Sequence, residues 1–300
     1  MGEARRELKV ITKVAEMQSA ADAWRGAGLT IGFVPTMGYF HDGHLALMRK
    51  AREENGLVVV SLFVNPTQFG PDEDLSSYPR NLDRDAAMAE GVGVDLLFVP
   101  SVEEMYPDGC CTHVEVEGPS RGLCGASRPG HFKGVTTIVA KLLNIVQPDR
   151  AYFGMKDYQQ LKVVERMARD LDVPVEIVAV PTVRDPDGLA MSSRNSYLSV
   201  EERRAALVVP KSLDYAEDLI GGGVRDTAGL RDRIRDFVVR EPLARIDYVE
   251  VVDSESLEPL DRVEGTAVVA VAVRIGRTRL IDNRIVGWEG RTDGVRPSES

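Results

Sequence analysis

The chain has 300 residues, enough for one large or two medium domains. With 43 % hydrophobic and 28 % charged residues it has a globular composition, which excludes disorder over the whole chain. Its 37 basic and 47 acidic residues leave a formal charge of −10, which argues against a general nucleic-acid binder but permits one small basic pocket.

In chain order, Leu29–Val34 reads as a strand and Gly43–Glu54 as the helix that follows it. Leu57–Val64 is nearly all aliphatic, as a strand buried on both faces should be. Asp83–Glu90 reads as a helix and Asp95–Val99 as a strand ending at Pro100. Thr136–Val146 carries a helical stripe at Ile138, Val139, Leu142, Leu143 and Val146. Ala151–Phe153 is a short strand, Tyr158–Leu171 a helix, and Val175–Val180 a strand stopped by Pro181. This alternation predicts an α/β fold built on a doubly wound parallel sheet.

After Arg184 the pattern changes. Glu201–Ile220 and Asp226–Val239 read as helices separated by Gly221–Gly223, followed by strands at Ile246–Val252, Ala267–Arg274 and Thr278–Ile285. Helices followed by a meander predict a smaller α+β C-terminal domain. The expected division is 1–183, 184–290 and a loose polar tail, 291–300. Asn65–Arg80 and Pro107–Gly134 are long Gly/Pro-rich loops, which in a compact domain are either functional or disordered.

No apolar run reaches the ~18 residues needed to span a bilayer, the longest being Val58–Val64 and Ala267–Val273. The opening residues, Met1–Val10, are charged and hold no signal-peptide core. Cys110, Cys111 and Cys124 form no CxxC pair, and Cys110, Cys111 and His113 match no common zinc-ligand spacing. Reduced thiols in a cytoplasmic protein, with no membrane and no nucleic-acid partner, are the expectation.

The chemistry-bearing residues begin where apolar strands end. Phe33-Val34 leads into Pro35–His44, Phe63-Val64 into Asn65–Gly70, and Tyr152-Phe153 into Gly154–Gln160; Val180 leads through Val183 and Arg184 to Met191–Asn195. In a doubly wound sheet these points converge on one crevice at the carboxyl edge. His41 and His44 share a face at a helix start, where free N–H groups suit phosphate. A structural histidine pair, a helix cap made by Asp42, and an incomplete zinc pair are the other readings. Lys156 lies between a strand end and a helix, where a cation reaches phosphate; a solvated surface lysine is the alternative. Ser192, Ser193 and Arg194 suit pyrophosphate, although such a tripeptide is commonly only a loop. Gln68 and Gln160 are neutral amides able to hold hydroxyls or a carboxylate. Gly125–Gly130 has the outer glycines of a P-loop, but His131 stands in place of the lysine. There is no G-x-G-x-x-G after the first strand and no H-E-x-x-H.

Taken together, Pro35-Thr36-Met37-Gly38-Tyr39-Phe40-His41-Asp42-Gly43-His44 resembles the P-T-M-G-x-x-H-x-G-H element of the pantothenate synthetases, a variant of the HIGH signature of nucleotidylyl transferases. Asn65–Gly70, Arg128–Phe132, Gly154–Gln160, Met191–Asn195 and Leu280–Asn283 resemble further blocks of that family in its order, over about residues 8–285. The resemblance implies a Rossmann-like fold with a smaller C-terminal lid, usually in a homodimer. It also implies ligation of pantoate and β-alanine with ATP and Mg²⁺ through a pantoyl adenylate. It places ATP at Met37, Gly38, Tyr39, Phe40, His41, Asp42, Gly43, His44, Gly154, Met155, Lys156, Asp157, Val183, Met191, Ser192, Ser193 and Arg194. It assigns catalysis to His41, His44, Lys156, Ser192, Ser193 and Arg194, pantoate to Gln68 and Gln160, and β-alanine to Gln68. Tyr39-Phe40 replaces the family's commoner Ala-Leu, which predicts bulk beside the nucleotide; Asp42 and Met155 each replace a usual Glu. The alternatives are another HIGH-type nucleotidylyl transferase, lacking the paired glutamines, or a catalytically silent nucleotide-binding protein.

Overall fold

The computed structural model describes residues 8–71 and 73–287 and divides into two compact units, Met1–Ser196 and Tyr197–Ser300. The first unit contains β1 (Lys9–Ile11), α1 (Val14–Gly26), β2 (Ile31–Thr36), α2 (Asp42–Glu54), β3 (Leu57–Leu62), α3 (Leu82–Gly91), β4 (Leu96–Phe98), α4 (Val102–Met105), α5 (Leu123–Ser127), α6 (His131–Val146), β5 (Arg150–Gly154), α7 (Tyr158–Asp170) and β6 (Glu176–Val180). Its six strands are parallel in the order β1-β4-β3-β2-β5-β6, the doubly wound, Rossmann-like sheet that the alternating pattern predicts. The order reverses at β2: the chain proceeds outward through β3 and β4, then returns to place β5 on the other flank of β2.

Burial explains the strand composition. In β3, Val58, Val59 and Val60 are all fully buried, so alternation between polar and apolar residues is absent. Beneath α2, Leu45, Met48 and Ala51 pack with Val34, Val58, Val60, Leu97 and Tyr152. Tyr152 keeps its hydroxyl satisfied inside this core. It accepts from Asn55 Nδ2 at 2.7 Å and donates to Glu54 Oε2 at 2.8 Å. Burial and the Glu54 carboxylate both hold the phenol protonated.

The second unit contains α8 (Val200–Ala206), α9 (Val208–Gly221), α10 (Thr227–Val238), and the antiparallel strands β7 (Ala244–Asp253), β8 (Thr266–Ile275) and β9 (Thr278–Gly287), in the order β7-β8-β9. It matches the expected α+β character. The single helix expected over Glu201–Ile220 is two helices, broken at Leu207. Pro210 lacks an N–H and its ring opposes the carbonyl of Ala206, so a continuous helix is interrupted there.

Three further expectations change. The first unit runs to Ser196, past the expected boundary at 183/184, because the backbone of Met191 donates to Val183 at 3.0 Å and Arg194 pairs with Asp74. The long loop after Pro107 ends at Gly130 rather than Gly134, since α6 starts at His131, five residues before the expected start at Thr136. It also encloses α5, so Gly125 of the stretch Gly125–Gly130 lies in a short helix. The segment 291–300 lies outside the described residues.

Replacing Tyr152 by Phe removes a buried donor–acceptor group bridging α2 and β5. We expect a loss of about 1–2 kcal/mol in unfolding free energy, read as a lower urea midpoint with an unchanged slope.

Candidate active site

The carboxyl ends of β3, β2, β5 and β6 open on one cavity of about 250 Å³ in the first unit. This is where a reversal of strand order leaves a crevice. Met37, His41, Gly43 and His44 enter it after β2, and Asn65, Gln68 and Tyr78 after β3. Gly154, Lys156, Asp157 and Gln160 enter after β5, and Val183, Met191, Ser192, Ser193 and Arg194 after β6.

Five residues expected at ATP do not line it. Gly38 and Tyr39 lie in the bend before α2, Asp42 is exposed in its first turn, and Met155 is half-buried. Phe40 is fully buried in the core under α2, so it adds no bulk to the cavity. Tyr39 lies beneath the Arg84 guanidinium, 4.9 Å from its ring centre.

His41 and His44 cap their own helix reciprocally. Gly43 N–H donates to His41 Nδ1 at 3.1 Å, and His41 N–H donates to His44 Nδ1 at 3.3 Å. A backbone N–H can only donate, so both Nδ1 atoms are unprotonated acceptors and each neutral ring carries its proton on Nε2. Burial and the Lys156 ammonium push His41 down to about 4. Burial and His41 push His44 well below its ordinary value. The structural reading of the pair is met at Nδ1, which caps the helix, and this leaves Nε2–H as a donor of fixed tautomer. The cap belongs to His41, and the Asp42 cap reading falls.

The cations at the cavity have carboxylate neighbours. Arg194 binds Asp74 through two bonds, 3.0 Å from Nε and 2.8 Å from Nη2. Burial opposes the charge on Arg194, but the Asp74 contacts outweigh it and hold the guanidinium charged. Lys156 Nζ lies 3.7 Å from Asp157. The Ser193 hydroxyl meets Tyr78 Oη at 3.3 Å, and Ser192 Oγ accepts from the Arg194 amide. These serine contacts are not with a histidine base, so neither resembles an activated nucleophile.

The two adjacent glutamines of α7 divide. Gln159 is buried, accepts from Cys124 N–H, and donates to Pro119 O and Gly122 O, a structural clasp on the preceding loop. Gln160 faces the cavity. Gln68 accepts from Asn65 Nδ2 at 3.2 Å, which turns its amide nitrogen towards Met37 Sδ, a weak acceptor that leaves the amine free to donate. The turn holding Gln68 rests directly on α6: a Cβ at Gly134 would meet Thr67 O at 2.4 Å, so only glycine permits this approach.

Several contributors were not assigned from sequence. Asn65 is buried and accepts from Tyr106 Oη at 2.8 Å while donating to Gln68 and Gly134. His131 Nδ1–H donates to Gln68 O at 2.9 Å, leaving Nε2 to accept from Arg128 at 3.0 Å. Burial and Arg128 push His131 down to about 4, against the opposing effect of its bond to Gln68 O. Arg128 is in turn gripped by Glu73 through two bonds of 2.6 Å. The available signals were the Asn65–Gly70 and Arg128–Phe132 blocks, which carry no spacing rule of their own.

Among the described residues no group of three His, Cys, Asp or Glu side chains could hold a metal ion. Among those residues, no helix is long and apolar enough to cross a membrane.

The family model for pantoate–β-alanine ligase matches residues 9–285. The chain is 57 % identical over 280 residues to the pantothenate synthetase of Pelotomaculum thermopropionicum, covering 93 % of this chain and 99 % of that one. It is 55 % identical over 289 residues to that of Rhizobium etli, covering 96 % and 97 %. The crystal structure of the Thermus thermophilus pantothenate synthetase superposes with a TM-score of 0.86 at 51 % identity, covering 92 % and 98 %. The Francisella tularensis pantoate–β-alanine ligase, crystallised with β,γ-ATP and β-alanine, gives a TM-score of 0.78 at 33 % identity, covering 93 % and 98 %.

The depressed histidines set a pH window. Unfolded, they titrate near 6.5; folded, His41 and His131 do so at about 4. Between these values the unfolded chain takes up protons that the folded chain refuses, so stability falls as pH drops through the window and is retained above it. We expect a lower urea midpoint at pH 5 than at pH 7, and neutral His41 and His131 rings at pH 5 by NMR. Midpoints near 6.5 for both rings would contradict the geometry.

Proposed function

The chain belongs to the pantoate–β-alanine ligase family, and from that premise we propose that this cavity joins pantoate to β-alanine with ATP through a pantoyl adenylate. One observation carries the reading: two histidine N–H donors of fixed tautomer and the amides of Gln68 and Gln160 line one cavity, where the described contacts of Ser192 and Ser193 include no histidine base.

A pantoate carboxylate oxygen attacks the α-phosphorus of ATP, and pyrophosphate leaves. The β-alanine amine then attacks the acyl carbon, AMP departs with the former carboxylate oxygen, and a proton from the amine passes to solvent. The first step is mainly positioning and stabilisation of charge on phosphate. His41 and His44 donate from Nε2 to phosphate oxygens, helped by the free amides of the α2 N-terminus. Lys156 and Arg194 neutralise the developing charge, with Ser192 and Ser193 supplying hydroxyls to the pyrophosphate. The nucleotide also draws on Met37, Gly43, Gly154, Asp157, Val183 and Met191. Gln160 and Gln68 receive the hydroxyls and carboxylate of pantoate from two walls of the crevice, and Gln68 also guides β-alanine. The ATP and β-alanine held by the Francisella relative support these two subsites.

Mg²⁺ fits this site as a companion of the nucleotide, since it is commonly bound by substrate phosphates and one or two carboxylates. Asp157 carries the carboxylate among the described residues lining the cavity. Mg²⁺ would offset phosphate charge there. The family resemblance further supports a cytoplasmic homodimer, which light scattering would read as twice the 32.9 kDa chain mass.

With ATP and pantoate alone, we expect about one pyrophosphate per active site, measured by a quenched single-turnover assay. Pyrophosphate formed with other carboxylic acids but not with pantoate would overturn the substrate assignment. Lys156→Ala should slow that step by roughly 10²–10³-fold with the fold intact. Near-normal release would make Lys156 a surface lysine.

Gln160→Leu should raise the pantoate KM while leaving ATP affinity nearly unchanged, because sites that hydrogen-bond a hydroxyl depend on that bond. Gln68→Leu should impair both pantoate use and β-alanine capture. Calorimetric titration with pantoate, and separately with ATP, distinguishes these outcomes.

A further inference from the structure

The segment that delivers His41 to the cavity has an unusual backbone. Gly38 and Tyr39 both adopt positive φ, 83° and 54°, and are separated from the extended cap residue His41 by Phe40 alone. For tyrosine this conformation is unfavourable and persists only where the surroundings hold it. The holding group is a carboxylate from a different helix. Asp85 of α3 is 1 % exposed, and its two oxygens each accept from one backbone amide: Tyr39 N–H at 2.6 Å and Phe40 N–H at 2.8 Å. A Cβ at Gly38 would lie 3.1 Å from Asp85 Oδ2, so the carboxylate also fills the space beneath the bend.

Arg84 grips the same bend from outside. It donates to Phe40 O at 2.9 Å, stacks over the Tyr39 ring, and lies 3.6 Å from Asp85 Oδ1. Phe40, between the two holds, is locked in the core. Its neighbour His41 therefore starts α2 from a fixed point, and both the reciprocal histidine cap and the direction of the Nε2–H groups follow from that start.

We propose that Asp85 is a positioning residue for the nucleotide step, acting through the Gly38–His41 bend without touching the cavity itself. This rests on the phosphate role of His41 and His44 given above. The charge state matters for a geometric reason. Two converging N–H donors need acceptors on both branches of one short side chain, which a carboxylate provides. An asparagine offers one oxygen and turns its NH₂ against the other amide. Glutamate would keep both acceptors but is one methylene too long for a site already in contact with Gly38.

The test is Asp85→Asn, with Arg84→Met as a second variant on a half-exposed side chain whose loss leaves the core intact. Pyrophosphate release is measured against ATP and against pantoate separately. Amide spectra of Tyr39 and Phe40 report the bend directly. We expect Asp85→Asn to raise the ATP KM at least tenfold and slow pyrophosphate formation about 10²-fold, with pantoate KM changed less than threefold. One of the two amide resonances should move upfield as its bond to the carboxylate is lost. Arg84→Met should shift the ATP KM in the same direction by a smaller factor, threefold or more. Asp85→Glu should not restore the wild-type ATP KM.

An active wild type with unchanged ATP KM in both Asp85→Asn and Arg84→Met overturns the proposal. So does an equal rise of both KM values, which marks a general structural role. If Asp85→Asn does not fold, Arg84→Met and the wild-type amide shifts decide the matter. A wild type that releases no pyrophosphate with pantoate instead overturns the reading of the site, a separate failure.

Discussion

Everything at the cavity depends on one topological constraint, the reversal of strand order at β2. Parallel strands joined by crossovers place all their carboxyl ends on one edge, and the reversal means that no crossover covers the gap between β2 and β5. Residues as distant as His41 and Arg194 meet there. The same geometry explains why the polar segments are irregular. Each has left its strand and has no ladder to satisfy it, so side chains such as Asn65, Asp85 and Gln159 take over the backbone hydrogen bonds.

The second organising feature is electrostatic restraint. The chain carries a net charge of −10, yet histidine, lysine and arginine side chains gather at its cavity. They do so without accumulating unpaired positive charge. Two donors are neutral imidazoles whose tautomer is set by backbone amides. Arg194 is held by Asp74, and Arg128 by Glu73. Buried charge without a partner would be costly, and these carboxylates offset that cost before a ligand arrives. In the proposed reading the corollary is a competition, in which nucleotide phosphates and Asp74 would seek the same guanidinium.

Legibility from sequence followed the range of the responsible interactions. Strands such as Leu57–Leu62 and helices such as Tyr158–Asp170 were readable because burial imposes a local period or a continuous apolar run. The opening strand β1 and helix α1 were not read, since β1 has only three residues and α1 only two buried side chains. The break at Leu207 was visible in Pro210 but was masked by an otherwise continuous helical pattern. At the site, His41, His44, Lys156 and Ser192–Arg194 were legible as polar groups following apolar strands. Asp85 was not, because an acidic residue in an amphipathic helix looks the same whether it faces water or two amides.

The sequence by itself determined the class of fold, the family to which the chain belongs, and four of the segments that supply the cavity. These properties are written in local apolar periodicity and in short ordered blocks. Tertiary structure alone decided which atom of each histidine is free to act, Nε2 rather than Nδ1, what holds Gln159 in place beside Gln160, and that Phe40 lies in the core rather than beside the nucleotide. The reason is that these choices are made by partners distant in sequence, such as Asp85 for the bend and Pro119 for Gln159, and a residue's own neighbours carry no record of them.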